Sequence, residues 1–353
     1  MKVLVTAGGT GGHIMPAVAI AEAIRDKVHG TEILFVGTDR GMEERIARLK
    51  GLDFIPIRAQ GIKGKSVTNM GKAIFLNVKA FRKAIGIIRD FKPAWVIGTG
   101  GYVTGMVVLA GRLLGCSCAI QEQNSIPGLT NRLLSRIAQR VFLAFPDSQG
   151  RFPKAKTLLV GNPLRRELTS HNRNDTNEGY LIILGGSLGA SSINRASVAA
   201  LGILKAEGLH VQAIHQCGGS DYPWVEAAYR QAGIETLVYD FIDDMAPIYR
   251  GARLAVSRCG GITLSELSAM GLPSIMIPFP HATDNHQMEN ARYVASLGGG
   301  WIIEDSELTP ERLAIEIKTR FFNEKDLKNA SSNMRRMGLG KGAETIAREI
   351  LGV

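Results

Sequence analysis

The chain has 353 residues, 45% of them hydrophobic, and carries a formal charge of +10 at neutral pH. That length and apolar content fit roughly two domains that each bury a core, and exclude a disordered or fibrous chain. Cys116, Cys118, Cys217 and Cys259 form neither a C-x-x-C pair nor a zinc spacing and read as reduced cytosolic thiols.

The chain opens on a strand-like KVLV, so export is not expected, and no apolar run is long enough to span a bilayer. The first stretch, KVLVTAGGTGGHIMPAVAIAEAI at residues 2–24, reads as a strand turning through Gly8-Gly9-Thr10-Gly11-Gly12-His13 into a helix with Pro16 near its first turn. A dinucleotide fingerprint on Gly9-Thr10-Gly11 would need glycine where Ile14 stands, and the Gly-Lys-Ser/Thr ending of a triphosphate loop is absent. What remains is a turn exposing unpaired N–H groups at a helix N-terminus, suited to an anion or a polar sugar.

Further strands are predicted at EILFVG, FIPI, AWVIGTG, CAIQE, RVFLAF and TLLVG, most of them separated by helical patterns, which describes a doubly wound parallel sheet. After FIPI comes the densest basic stretch, KGKSVTNMGKAIFLNVKAFRKAIGIIR from Lys63 to Arg89. Its charges interleave with apolar residues as in a basic amphipathic helix. In one reading Ile74, Phe75 and Phe81 enter a membrane interface while Lys72, Lys79, Arg82 and Lys83 meet acidic head groups. In the other, the apolar side packs on its own domain. The net charge asks for an anionic partner, and its spread along the chain, without an aromatic-rich strand, argues against nucleic acid.

The polar run TSHNRNDTNEG interrupts this pattern, which restarts with YLIILGGSLGASSINRA, VQAIHQCG, TLVYDF, LAVSRCG, PSIMIPF and GWII. A boundary is expected near Gly161-Asn162-Pro163, giving domains at residues 1–161 and 162–336, with a last helix at 337–353 packing back on the first. GGTGGH and GGSLGA open the two halves. The chain therefore reads as an α/β protein of two Rossmann-like doubly wound domains facing a central cleft.

GGTGGH at 8–13, IGTGGYVTG at 97–105, QEQN at 121–124, GNPLR at 161–165, GGSLGASSIN at 185–194, FIDDMA at 241–246 and SRCGGITLSELSAMGLPSIMIPFPHATDNHQMENA follow one another in order. Together they resemble the bacterial MurG family of peptidoglycan glycosyltransferases over nearly the whole chain. The resemblance implies the GT-B glycosyltransferase fold and an inverting transfer of N-acetylglucosamine from UDP-N-acetylglucosamine to the muramyl sugar of lipid I, forming lipid II. It implies donor binding mainly by the C-terminal domain, acceptor binding by the N-terminal one, and neither metal nor cofactor. It also implies a peripheral place on the cytoplasmic face of the cell membrane, on an anionic surface, with cell-wall synthesis proteins as further partners. Another GT-B nucleotide-sugar transferase, or a UDP-N-acetylglucosamine epimerase, would share the two-domain layout.

The residues themselves support a donor site in the second half. Gly260-Gly261-Ile262-Thr263 follows LAVSRC and opens a helix whose N–H groups can hold a pyrophosphate without a cation, and GGSLGA offers a second such turn. From the resemblance, Ser187 contacts the donor, Arg165 the nucleotide and Ile242 the uracil; Thr10, Gly11, Gly12 and Asn124 also fall on the donor side. Gly9, Tyr102 and Asn194 are implied to position the acceptor. In HATDNHQMEN, His281 and His286 are five apart, off the i, i+4 spacing of a helical metal pair, which favours sugar hydroxyl recognition. Gln287 matches one of two adjacent family glutamines; His286 replaces the other, and Gln121 stands where some relatives carry histidine.

His13 is the first candidate for the general base, because imidazole titrates near neutrality and ends the glycine turn. An equally open reading has it ordering the turn or binding the acceptor pyrophosphate. Glu122 is the alternative base. Thr263-Leu264-Ser265-Glu266 fits a capping box, in which Glu266 would only reach back to the N-cap N–H. The resemblance instead assigns Glu266 to the ribose diol.

Overall fold

The computed structural model describes residues 1–9, 11–39, 42–61, 67–147, 149–169, 179–186 and 188–353, and leaves out the side chains of 67–70, 72 and 74. Thr10, Ser187 and the side chains of Lys72 and Ile74, all singled out above, lie outside the described residues. Two compact units divide the chain: Met1–Arg165 with Gly340–Val353, and Arg166–Leu339.

The first unit runs β1 (Lys2–Thr6), α1 (Gly11–Lys27), β2 (Glu32–Gly37), α2 (Glu43–Leu49), β3 (Asp53–Pro56), α3 (Val67–Phe91), β4 (Trp95–Gly98), α4 (Tyr102–Leu113), β5 (Ser117–Glu122), α5 (Leu129–Leu134), β6 (Arg140–Leu143) and β7 (Thr157–Leu159). The second runs α6 (Arg166–Thr169), β8 (Tyr180–Leu184), α7 (Ser191–Ala206), β9 (Ala213–Gln216), α8 (Tyr222–Ala232), β10 (Thr236–Tyr239), α9 (Met245–Gly251), β11 (Ala252–Ser257), α10 (Gly261–Met270), β12 (Ser274–Met276), α11 (His286–Ser296), β13 (Gly300–Ile302), α12 (Pro310–Phe321) and α13 (Glu324–Met337). A last helix, α14 (Gly342–Leu351), belongs to the first unit.

Each unit is a parallel sheet, ordered β3-β2-β1-β4-β5-β6-β7 in the first and β10-β9-β8-β11-β12-β13 in the second. Both orders reverse beside the opening strand, at β1/β4 and at β8/β11. In an open parallel sheet such a reversal leaves a crevice at the carboxyl ends of the two strands, where ligands bind. The glycine turns after β1, β4, β8 and β11 all sit there.

Strand alternation builds the core on both faces of the first sheet. Val3, Val5, Ile33 and Phe35 pack with α1 and α14, while Leu4, Leu34 and Val36 pack with α3 and α4. Ile346, Ala347 and Ile350 of α14 join Ile20 and Ile24 of α1 in this core. The returning chain is fixed by Gly342, whose N–H donates to the Asn162 carbonyl at 3.1 Å. A Cβ on Gly342 would lie 2.3 Å from the Gly161 carbonyl oxygen, so the backbone approach requires glycine.

Two local expectations change. Pro16 lies inside α1 rather than in its first turn, and its missing N–H leaves the Gly12 carbonyl without the usual i+4 donor. In α3, Ala80, Ala84 and Ile88 are buried, and Phe81 is half-buried against the same cluster. Phe81 flanks this i, i+4 row and is a core residue, not a membrane-facing one. Exposed apolar side chains among the described residues include Phe75 at 60% and Val78 at 47%, with Leu113 (67%) on α4, which packs beside α3, and Leu129 (60%) and Leu133 (54%) on α5, which packs beside α4. No helix among the described residues is long and apolar enough to cross a membrane.

Candidate functional site

In the first unit the β1 turn meets the β4 turn. Gly8 N–H donates to the Gly100 carbonyl at 3.1 Å, and Gly9 N–H donates to Oε1 of the buried Glu43 at 3.0 Å, where Thr38 Oγ1 also donates at 2.7 Å. Gly9 has φ +100° and open space beside its Cα. Gly11 and Gly12 form the first residues of α1, where backbone N–H groups lack intrahelical acceptors and the helix dipole favours negative charge.

His13 follows on the same turn. Its Nδ1 lies 3.0 Å from the Thr99 carbonyl oxygen and 3.1 Å from Gln123 Oε1, both acceptors. The proton of the neutral ring therefore sits on Nδ1 and the lone pair on Nε2, the arrangement a general base needs. Gly100 makes room for this ring: at φ +126°, a Cβ there would stand 2.5 Å from Nδ1. Tyr102, 58% exposed, starts α4 and packs its ring over Gly61, where a Cβ would meet it at 2.3 Å.

Glu122 is not placed as a base. It is 2% exposed, and its oxygens accept the N–H groups of Asn124 (3.1 Å) and Gly128 (3.1 Å) and Asn131 Nδ2 (2.9 Å). Burial pushes its pKa up, against the pull of these donors. This carboxyl anchors the loop that carries Asn124. Arg165 is the last residue of the first unit before the chain enters the second, and its surface is half-buried.

In the second unit α10 begins at Gly261 behind a Gly260 N-cap in extended conformation. Thr263 is thus inside the helix, and no capping box exists at 263–266, because the N-cap lies three residues earlier. Glu266 instead accepts the Tyr249 hydroxyl at 2.9 Å. Gly261, Ile262 and Thr263 supply the first-turn N–H groups. Gln287 Oε1 accepts from Cys259 N and Phe279 N, each at 3.0 Å, which leaves its amide nitrogen as the end able to donate to a ligand. His286 Nδ1 lies 2.9 Å from the Thr283 carbonyl, so its Nε2 is the acceptor nitrogen. Asp284 and Asn285 before it take left-handed φ of 51° and 58°, a costly pair for non-glycine residues and one that aims the start of α11. No group of three metal-ligating side chains occurs among the described residues. Ile242 is half-buried just before α9.

Asn194 departs from its expected role. It is fully buried in the second unit, its Nδ2 donating to the Cys217 carbonyl (2.9 Å) and Asp221 Oδ2 (2.8 Å) and its Oδ1 accepting from His215 Nε2 (3.0 Å). Both ends of the amide are thus committed inside the second unit, where Asn194 fixes the start of α7.

Residues 3–143 match the glycosyltransferase family 28 N-terminal domain, and residues 180–347 match its C-terminal domain. The UDP-N-acetylglucosamine--N-acetylmuramyl-(pentapeptide) pyrophosphoryl-undecaprenol N-acetylglucosamine transferase of Myxococcus xanthus is 40% identical, covering 98% of this chain and 91% of its own. The protein of that name from Nitratidesulfovibrio vulgaris is 41% identical over 88% of this chain and 84% of its own. The crystal structure of Acinetobacter baumannii MurG matches with a TM-score of 0.82 at 31% identity, over 100% of this chain and 99% of that one. The chain belongs to the MurG family.

Its two parallel sheets are accordingly those of the GT-B fold, and it is a glycosyltransferase by family. Four side chains that contact the candidate residues Gly9, His13 and Glu266 are not singled out by the sequence: Glu43, Thr99, Gln123 and Tyr249. Thr99 and Gln123 lie inside the runs IGTGGYVTG and QEQN, and Gln123 shares strand parity with Gln121 at the end of β5. Glu43 lies on α2, whose sequence carries no motif, and Tyr249 lies on α9, three residues past the FIDDMA motif.

Proposed function

We propose that the chain transfers N-acetylglucosamine from UDP-N-acetylglucosamine to the muramyl sugar of undecaprenyl-pyrophosphoryl-N-acetylmuramyl-pentapeptide, lipid I, and so makes lipid II. The observation that carries this reading is the 40% identity to a transferase of that name along nearly the whole of both chains. The muramyl hydroxyl gives its proton to His13 Nε2 as its oxygen attacks the anomeric carbon. The bond to UDP breaks on the opposite face, so the configuration inverts.

UDP is held in the second unit by Gly261, Ile262 and Thr263 at the start of α10 and by the turn containing Ser187, where helix dipoles stabilise the departing charge. Glu266 takes the ribose diol, Ile242 meets uracil, Gln287 and His286 meet the hexose, and Arg165 meets the nucleotide. Thr10, Gly11, Gly12 and Asn124 are donor-binding residues, and Gly9 and Tyr102 position the acceptor.

A lipid acceptor requires an enzyme at the bilayer surface. Phe75, Val78, Leu113 and Leu133 are exposed on the neighbouring helices α3, α4 and α5, interleaved with exposed Lys79, Arg82, Lys83, Arg112 and Arg132. Apolar side chains ringed by cations suit a peripheral contact with anionic lipid on the cytoplasmic face.

His13→Ala tests the catalytic assignment. Turnover should fall by about 10²–10⁴-fold with UDP affinity unchanged. Unchanged turnover would remove His13 as the base.

A further inference from the structure

Behind His13 the first unit buries three amides that the reaction does not touch. Gln121 and Asn162 are fully buried and Gln123 is 2% exposed. Gln123 Nε2 donates to the Thr99 carbonyl and, at 2.7 Å, to Gln121 Oε1. Gln121 Nε2 donates to Asn162 Oδ1 at 2.9 Å, and Asn162 Nδ2 donates to the Gln123 carbonyl at 3.1 Å.

Backbone carbonyls set the direction of this chain from both ends. Thr99 O can only accept, so the Gln123 nitrogen must face it and Oε1 must face His13. Gln123 O can only accept, so the Asn162 nitrogen must face it and Oδ1 must face Gln121. Reversing any one amide would set oxygen against oxygen in a buried site, at a cost of about 1–3 kcal/mol for each polar group left unsatisfied.

We infer that Gln123, Gln121 and Asn162 form a positioning relay that locks the His13 ring with its proton on Nδ1 and its lone pair on Nε2. The inference rests on the reading of His13 as the base. The relay holds the imidazole with a neutral amide rather than a carboxylate. Donors aligned head to tail also polarise one another. Its far end is anchored where the chain leaves and re-enters the unit, since the Asn162 carbonyl accepts the Gly342 N–H.

The test pairs kinetics with a direct view of the ring. Gln123→Met and Gln121→Leu keep the volume and remove the hydrogen bonds, whereas Gln121→His restores one acceptor and one donor nitrogen. With UDP-N-acetylglucosamine and a lipid I analogue, the two apolar variants should lose about ten- to a hundredfold in kcat, as when the partner orienting a functional imidazole is removed. KM should stay within about threefold, and Gln121→His should lie near the parent, because only transition-state stabilisation is lost. Nitrogen-15 NMR of histidine-labelled protein above neutral pH, assigned with His13→Ala, should show the Nδ1–H tautomer of His13 in the parent and, with the Thr99 carbonyl left as the remaining acceptor, a smaller Nδ1–H fraction in Gln123→Met. Parent-like kcat in both apolar variants, or an Nε2–H tautomer in the parent, would overturn the relay. If His13→Ala alone leaves turnover intact, the base assignment fails instead, and the NMR arm still decides whether the relay holds the ring. Should an apolar variant fail to fold, the parent tautomer and Gln121→His carry the decision: loss of kcat in a folded Gln121→His also overturns it.

Discussion

The Tyr249 hydroxyl donates to Oε2 of Glu266 across 2.9 Å, from a ring that is itself 1% exposed. A buried phenol fixes the carboxylate's rotamer, and the helix start at Gly261 frees Glu266 from any capping duty. Glu266→Gln should therefore melt like the parent yet bind UDP at least about tenfold more weakly, a loss of roughly 1.4 kcal/mol. Tyr249→Phe should weaken UDP in the same direction by a smaller factor. Isothermal calorimetry on the two variants checks both, and parent-like affinity in Glu266→Gln would remove this residue from the donor site.

Membrane docking is tested where the apolar surface is exposed. Phe75→Ser with Leu113→Ser should abolish most binding to vesicles containing acidic lipid and leave the Tm unchanged. Phe81→Ser should do the reverse, lowering the Tm because this ring packs on the core. Parent binding should weaken as salt rises, since the exposed cations act through a screened field. Salt-independent binding would contradict the electrostatic part of the account.

His215 gives a pH dependence of stability. Burial lowers its pKa from 6.5 to about 3, against a weaker upward pull from Asp221. The folded ring stays neutral while the unfolded ring takes a proton below pH 6.5, so the unfolded state gains stability as pH falls. This residue's contribution is complete above that pH and is lost on acidification through the window down to about 3, at about 1.4 kcal/mol per pH unit. Urea unfolding from pH 7 to 4 should show a steeper loss in the parent than in His215→Gln. Equal slopes would contradict a buried neutral histidine.

Much of the fold is legible in the sequence because strand and helix periods alternate cleanly and glycine turns mark where each strand ends. β1 with Gly8 to Gly12, and β11 with Gly260 and Gly261, carry their own positions at the sheet reversals. The failures have physical causes. A capping box at 263–266 needs Thr263 as the N-cap, whereas the glycine pair after LAVSRC puts the N-cap at Gly260 and Thr263 inside the helix. Phe81 and Phe75 are alike in composition and spacing, and the packing of α3 on the sheet decides which one is buried. Asn194 is named by the resemblance and Glu122 as the alternative base, but each is consumed by backbone and side-chain groups that sequence does not bring near. Gln123 is the converse: an unremarked amide that meets His13 only through the β4 and β5 pairing.

The most direct test of the account is incubation of the chain with radiolabelled UDP-N-acetylglucosamine and a lipid I analogue in vesicles, followed by separation of lipid and nucleotide products. The account predicts one labelled N-acetylglucosamine appearing on each acceptor consumed, as lipid II, with stoichiometric release of UDP and no turnover when the acceptor is omitted. Consumption or epimerisation of UDP-N-acetylglucosamine without acceptor, with no label in the lipid fraction, would contradict it.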